Sequence, residues 1–152
     1  MEQLRQLFET DDGWDKTILR LVAGGVMFPH GAQKLLGWFG GYGFNGTMGF
    51  FTDTMGMPWI MGFTVIMVEF FASLALIAGA LTRLSALGIS VVMAGAVTVA
   101  HWQNGFFMNW ANKNEGEGFE YHLLMIGMCG ALLIGGGGKA SLDRMVFERL
   151  KA

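Results

Sequence analysis

His30 and Lys34 are four residues apart, so on a helix they share one face. Glu69 lies inside FTVIMVEFFASLALIAGAL, the stretch from Phe63 to Leu81. There Thr64 and Ser73 can return their hydroxyl protons to the helix's own carbonyls, but the carboxylate has no such recourse. His101 and the run Glu120-Tyr121-His122 add two imidazoles, a carboxyl and a phenol. Donors for a carbonyl, beside groups that accept protons and among many Phe and Met side chains, could hold a quinone or a similar amphipathic molecule. Thiolate chemistry has no basis within one chain. Cys129 is the sole cysteine, so neither a disulfide, a CxxC pair nor a Cys-built zinc or iron–sulfur site can form.

The elements that must position these groups are strongly apolar. The 152 residues are 53% hydrophobic and 14% charged with a mean hydropathy of +0.44, against roughly 25% charged in soluble domains. Lipid is the indicated solvent. Four apolar stretches, about 17–37, 58–81, 84–103 and 119–137, each approach the ~20 residues a helix needs to cross a bilayer. Ser85 to Ala100 contains neither a charge nor an amide side chain, so that helix lacks the polar stripe a soluble bundle requires. Period-two alternation is absent, which removes the strand alternative. The expectation is all-α: an integral membrane four-helix bundle, a single domain over residues 1–152, with short interfacial amphipathic helices. One of these carries Phe44, Met48, Phe51 and Met55 behind Asn45 as N-cap. The other follows the break at Gly135 to Gly138, with Ser141 as cap, Leu142, Met145, Val146 and Leu150 on one side and Arg144, Arg149 and Lys151 exposed. Small-residue strips, Gly127-Ala131-Gly135 and Ala75-Gly79, suit close helix contacts, with the partner in the same chain or in a second copy of a homo-oligomer.

Cation placement orients the spans. Arg5, Lys16, Arg20, Arg83, Lys139, Arg144, Arg149 and Lys151, eight of the ten Lys and Arg, share the side of both termini and of a tight Thr82-Arg83 connection; Lys34 and Lys113 lie opposite. Both termini are therefore expected in the cytoplasm, in a multi-pass inner (plasma) membrane protein. The acid-rich leader before the first span lacks the signature of a cleavable signal peptide. Trp38, Phe39, Tyr42, Trp59, Trp102, Phe106, Phe107 and Trp110 fall where headgroups lie, as an aromatic belt. A net charge of -2 with no basic run offers nothing to a nucleic acid.

Counting ~1.5 Å per residue from each outer helix end, Lys34, His101, Glu120 and His122 lie within roughly 5 Å of the boundary, His30 near ~10 Å and Glu69 near ~16 Å. Together they outline a polar funnel that opens outward and closes on Glu69, with Arg20 near the opposite mouth. Glu120 and His122, two apart, point about 200° from each other, so only one looks squarely inward. A central acid costs roughly 2.5–3.5 kcal/mol or more, so Glu69 must face the interior, protonated or paired with Lys34, His30 or Arg20. The competing readings are a structural ion pair at Glu69, a snorkelling Lys34 and shallow interfacial groups at His101, Glu120 and His122. Haem needs two histidines at similar depth, and His30 lies deeper than His101 or His122. No H-x-x-x-H or E-x-x-H pair fixes a metal. No metal ligand is assigned, and the cofactor is left open, with a quinone compatible.

His30-Gly31-Ala32-Gln33-Lys34-Leu35, then Glu69, Gly79 and Thr82-Arg83, then Glu120-Tyr121-His122-Leu123, and finally Gly135 to Gly138 with Ser141-Leu142-Asp143 occur in the order of the landmarks of DoxX-type membrane proteins. From Trp14 to Asp143 the chain resembles that family. The resemblance implies a four-helix inner-membrane protein related to a subunit of a sulfur-oxidising quinone reductase, of a kind often labelled oxidoreductase, with a soluble or membrane redox partner. It supplies no catalytic residues, so His30, Lys34, Glu69, Arg83, Glu120 and Tyr121 correspond as landmarks. On the residues themselves, Glu69 is the candidate proton acceptor or counter-ion, His30, Lys34, His101, Glu120, Tyr121 and His122 are candidate ligand contacts, and Arg20 and Arg83 are charge partners. The alternatives are a non-redox binder or isomerase for lipid-like molecules and a membrane scaffold. Transport fits least, since no broken helix pair is evident.

Overall fold

Burying apolar side chains and satisfying every backbone group without water are met together by helices, and the computed structural model of the chain is helical, with no strand among the described residues, 6–112 and 115–151. Arg5 and Lys113, two of the cations used for orientation, lie outside them, and so does the side chain of Lys151. Helix α1 spans Trp14–Leu36. A short helix α2, Gly43–Gly49, runs on into a π-turn, Phe50–Thr54. Helix α3 is the rod Trp59–Ala78, α4 the rod Thr82–Asn104, α5 runs Glu120–Gly135 and α6 Leu142–Lys151.

The four long helices pack in sequence, α1 on α3, α3 on α4, α4 on α5 and α5 back on α1. Ala23, Met27, Leu76, Ile89, Met125 and Leu132 fill the space between them. A second cluster, Met48, Phe51 and Ile66, seats α2 against the N-terminal half of α3. By length and apolar composition α3 and α4 are long enough to cross a membrane. Helix α1 carries Arg20 and Lys34, and α5 has 16 residues, about 24 Å at 1.5 Å per residue. The expected belt residues are exposed, among them Trp38, Tyr42, Trp59, Trp102 and Trp110.

Close approach involves Gly79 and Gly135 of the expected strips, against Ser141 and Lys16, and also glycines outside them. A Cβ on Gly31 would stand 2.6 Å from Phe70 Cα and N, and one on Gly24 would stand 2.8 Å from the Ser73 carbonyl oxygen. These positions in α1 let its backbone lie against α3. Gly127 of the expected strip meets nothing within 4 Å. Asn45 is not a cap: α2 begins at Gly43, whose φ of +66° makes the entry turn, with Tyr42 before it and no side-chain cap. Ser141 does cap α6, its hydroxyl accepting from Arg144 N at 3.2 Å. That helix exposes Leu142, Met145 and Leu150 and buries Phe147.

The connection between α3 and α4 is the turn Gly79 to Leu81, with φ of +68° and +47°, and Thr82-Arg83 already belongs to α4. Helix formation leaves end carbonyls and N–H groups unpaired, and charged side chains take them up here. Asp143, 2% exposed, accepts from Leu81 N and Thr82 N, both at 2.7 Å. Arg20, also 2% exposed, donates to the carbonyls of Leu76 (2.9 Å), Ile77 (2.5 Å), Gly137 (2.9 Å) and Ala140. Arg83 donates to the carbonyls of Leu133 and Glu9. We predict that Asp143→Ala lowers unfolding free energy in detergent by about 2–3 kcal/mol, since two N–H groups lose a charged acceptor. Asp143→Asn, which keeps one oxygen, should lose about half as much, as read from unfolding midpoints.

Candidate functional site

Glu69 sits in α3 on a π-turn, Val68–Ala72, and is 4% exposed. Such one-turn insertions often occur at functional sites because they re-aim side chains within a helix. Gly31 brings α1 into backbone contact beside Glu69, and one turn further out Lys34 Nζ reaches Glu69 Oε2 at 2.6 Å. The ion pair answers the cost of a carboxylate away from water. Of the expected partners it is Lys34 that engages it. Arg20 is taken up by carbonyls at the other end of the molecule, where end-of-helix oxygens compete for a guanidinium, and so it is not the counter-ion. Arg83 likewise holds backbone oxygens instead of a carboxylate.

Beside this pair lies a cavity of about 600 Å³, lined by His30, Lys34, Glu69, His101, Tyr121 and His122 and by six methionines, Met27, Met55, Met57, Met61, Met93 and Met108. The His30 and Tyr121 rings are 6.0 Å apart between centres, and the Tyr121 hydroxyl lies 3.9 Å from Met27 Sδ. His101 ends a third π-turn, Val97–His101, and its ring centre is 4.2 Å from that of His122. His101 Nδ1 stands 2.9 Å from the carbonyl oxygen of Glu117, and His122 Nδ1 is buried without a hydrogen-bond partner.

Helical geometry separates Glu120 from His122. His122 lines the cavity, whereas the Glu120 carboxylate turns to the loop between α4 and α5 and accepts from Met108 N at 2.9 Å. Glu120 is therefore a loop anchor rather than a cavity contact. Glu117, which sequence reasoning passed over, also lines the cavity while its carboxylate accepts from Asn109 N at 2.6 Å. No spacing in the sequence marks it.

The expected outward funnel has a different mouth. Helix α4 packs against α3 from the π-turn to its C-terminal end, while the segment Trp59–Met67 packs on α1 and α2. The exposed lining residues Met61, Thr64, Val91, Gly95 and Val99 follow that gap, so the cavity opens sideways between the N-terminal half of α3 and the C-terminal half of α4. The surface it opens on is apolar.

Among the described residues no group of three or more His, Cys, Asp or Glu is placed to hold a metal ion. The paired rings of His101 and His122, at 4.2 Å, are closer than the ~6 Å between two imidazole centres that flank one haem iron. What the arrangement can do is hold a flat or flexible apolar body against methionine and phenylalanine and meet its polar head with an ion pair and imidazoles.

No curated protein and no solved structure matches this chain. The DoxX family profile matches residues 16–102, a range that holds His30, Lys34, Glu69 and His101. More than half of the sequence lies within that match, and the chain belongs to DoxX, a membrane family.

Proposed function

We propose that this protein is a small inner-membrane subunit, linked to a redox partner that carries the electrons, whose cavity binds a quinone or a similar amphipathic molecule. All four long helices would cross the bilayer, with both termini cytoplasmic. The observation that carries the reading is the Lys34–Glu69 ion pair at 2.6 Å in the wall of a methionine-lined cavity of about 600 Å³. A buried charge pair is weak evidence for stability, because apolar packing of the same volume often does as well. Its position beside an open cavity supports a binding role. Glu69 would act as proton acceptor or as counter-ion to Lys34, with His30 and Tyr121 along the ligand's head. The side opening suits a ligand that arrives dissolved in the bilayer.

The test is binding of a short-chain quinone to detergent-purified protein by calorimetry. Glu69→Gln and His30→Ala, at equal protein levels, should each weaken it by about tenfold, the worth of one charge-assisted or buried hydrogen bond. Unchanged binding in both variants would remove the redox-ligand reading. A second reading, a non-redox binder or isomerase of lipid-like molecules, is favoured by the same apolar mouth, and a co-purified lipid without quinone would select it.

A further inference from the structure

The ligand's head can be narrowed by asking which nitrogen of His101 carries the proton. A carbonyl oxygen only accepts, so the 2.9 Å contact with Glu117 O makes Nδ1 the N–H of the neutral ring. The lone pair then lies on Nε2, at the opposite edge of a ring that lines the cavity. At the other pole Lys34 is already held by Glu69, and Tyr121 has its hydroxyl against Met27 Sδ. Beside His101, at 4.2 Å between ring centres, His122 has a buried Nδ1 without a partner. Nε2 of His101 is therefore an acceptor that a donor on a ligand can meet. A quinone, ether or ester oxygen placed against it would set two lone pairs face to face, whereas a hydroxyl closes a hydrogen bond.

Resting on the amphipathic-ligand reading above, we propose that Nε2 of His101 accepts a hydroxyl from the ligand's head, so that the cavity selects phenols and hydroquinones over quinones, ethers and esters of the same shape. The Lys34–Glu69 pair meets the far end of the head, where both a donor and an acceptor are present. His101 is thereby the residue that sets specificity, and the loop carbonyl of Glu117 sets its tautomer.

The experiment compares para-heptylphenol with its methyl ether, para-heptylanisole, by calorimetry on detergent-purified protein. The phenol should bind about tenfold more tightly, since the ether has no hydrogen to donate to Nε2. His101→Asn places an amide nitrogen where Nδ1 was, so the bond to Glu117 can persist while the Nε2 lone pair is gone. It should bring the two affinities within about twofold. His101→Gln, which returns a polar atom near the Nε2 position, should restore the preference. Equal affinities in the wild type, or a preference that survives His101→Asn, overturn the assignment while the amphipathic-ligand reading stands. If neither compound binds, that reading falls and this one with it. Equal affinities in the wild type overturn the assignment even where a variant fails to fold.

Discussion

Lys34→Met lowers the unfolding free energy by about 3–5 kcal/mol, because it leaves the Glu69 carboxylate buried at 4% exposure without its cation. The exposed surroundings of an ordinary salt bridge would make the same change worth under about 1 kcal/mol. Glu69→Leu alone costs less, since Lys34 is 26% exposed and can turn its ammonium to the cavity. The double variant Lys34→Met/Glu69→Leu recovers most of the loss, as apolar replacement of a buried pair commonly does. Thermal or denaturant midpoints of the three proteins in one detergent check the cycle. If the double variant were as unstable as Lys34→Met, the pair would not be the source of the effect.

Arg20→Met has the other large effect, about 4–6 kcal/mol, enough to prevent accumulation of folded protein. Its guanidinium bonds to carbonyls of Leu76, Ile77, Gly137 and Ala140, joining the end of α3 to the glycine segment after α5. Bonds from a charged donor contribute about 1.5–3 kcal/mol each before relaxation. Arg20→Lys rescues little, because a single ammonium cannot span four acceptors set around a planar fork. Membrane yield and monodispersity read the result. Normal yield of Arg20→Met would mean that these carbonyls find other partners.

The sequence disclosed those parts of the site where a residue type conflicts with its surroundings. Glu69 stood out because a carboxylate amid Phe, Val and Leu must be buried with a partner, and Lys34, one turn from His30, was within reach. The partner of Arg20 was misread, since a lone cation in an apolar helix implies an anion when sequence is the guide, whereas backbone carbonyls carry no sequence label. Nor does anything in the local pattern announce the π-turns at Val68–Ala72 and Val97–His101, which depend on packing between helices. The 200° rule posed the choice between Glu120 and His122 without resolving it, because the rotation of α5 is set by its contacts with α4. Asn45 misled for a similar reason: cap preference is a weak local signal, and a left-handed Gly43 two residues earlier opened the helix first.

Gly95 offers the most direct check that the cavity is a binding site reached from the side. It lies on the lining, and a Cβ there would meet nothing within 4 Å, so a large side chain can enter the opening without displacing backbone. Native mass spectrometry of detergent-purified protein should find one amphipathic molecule bound per wild-type chain and none on Gly95→Trp, with the two proteins equally stable. Equal occupancy by the same molecule in both, or a wild type that carries only bulk phospholipid at the level of the variant, would contradict the account.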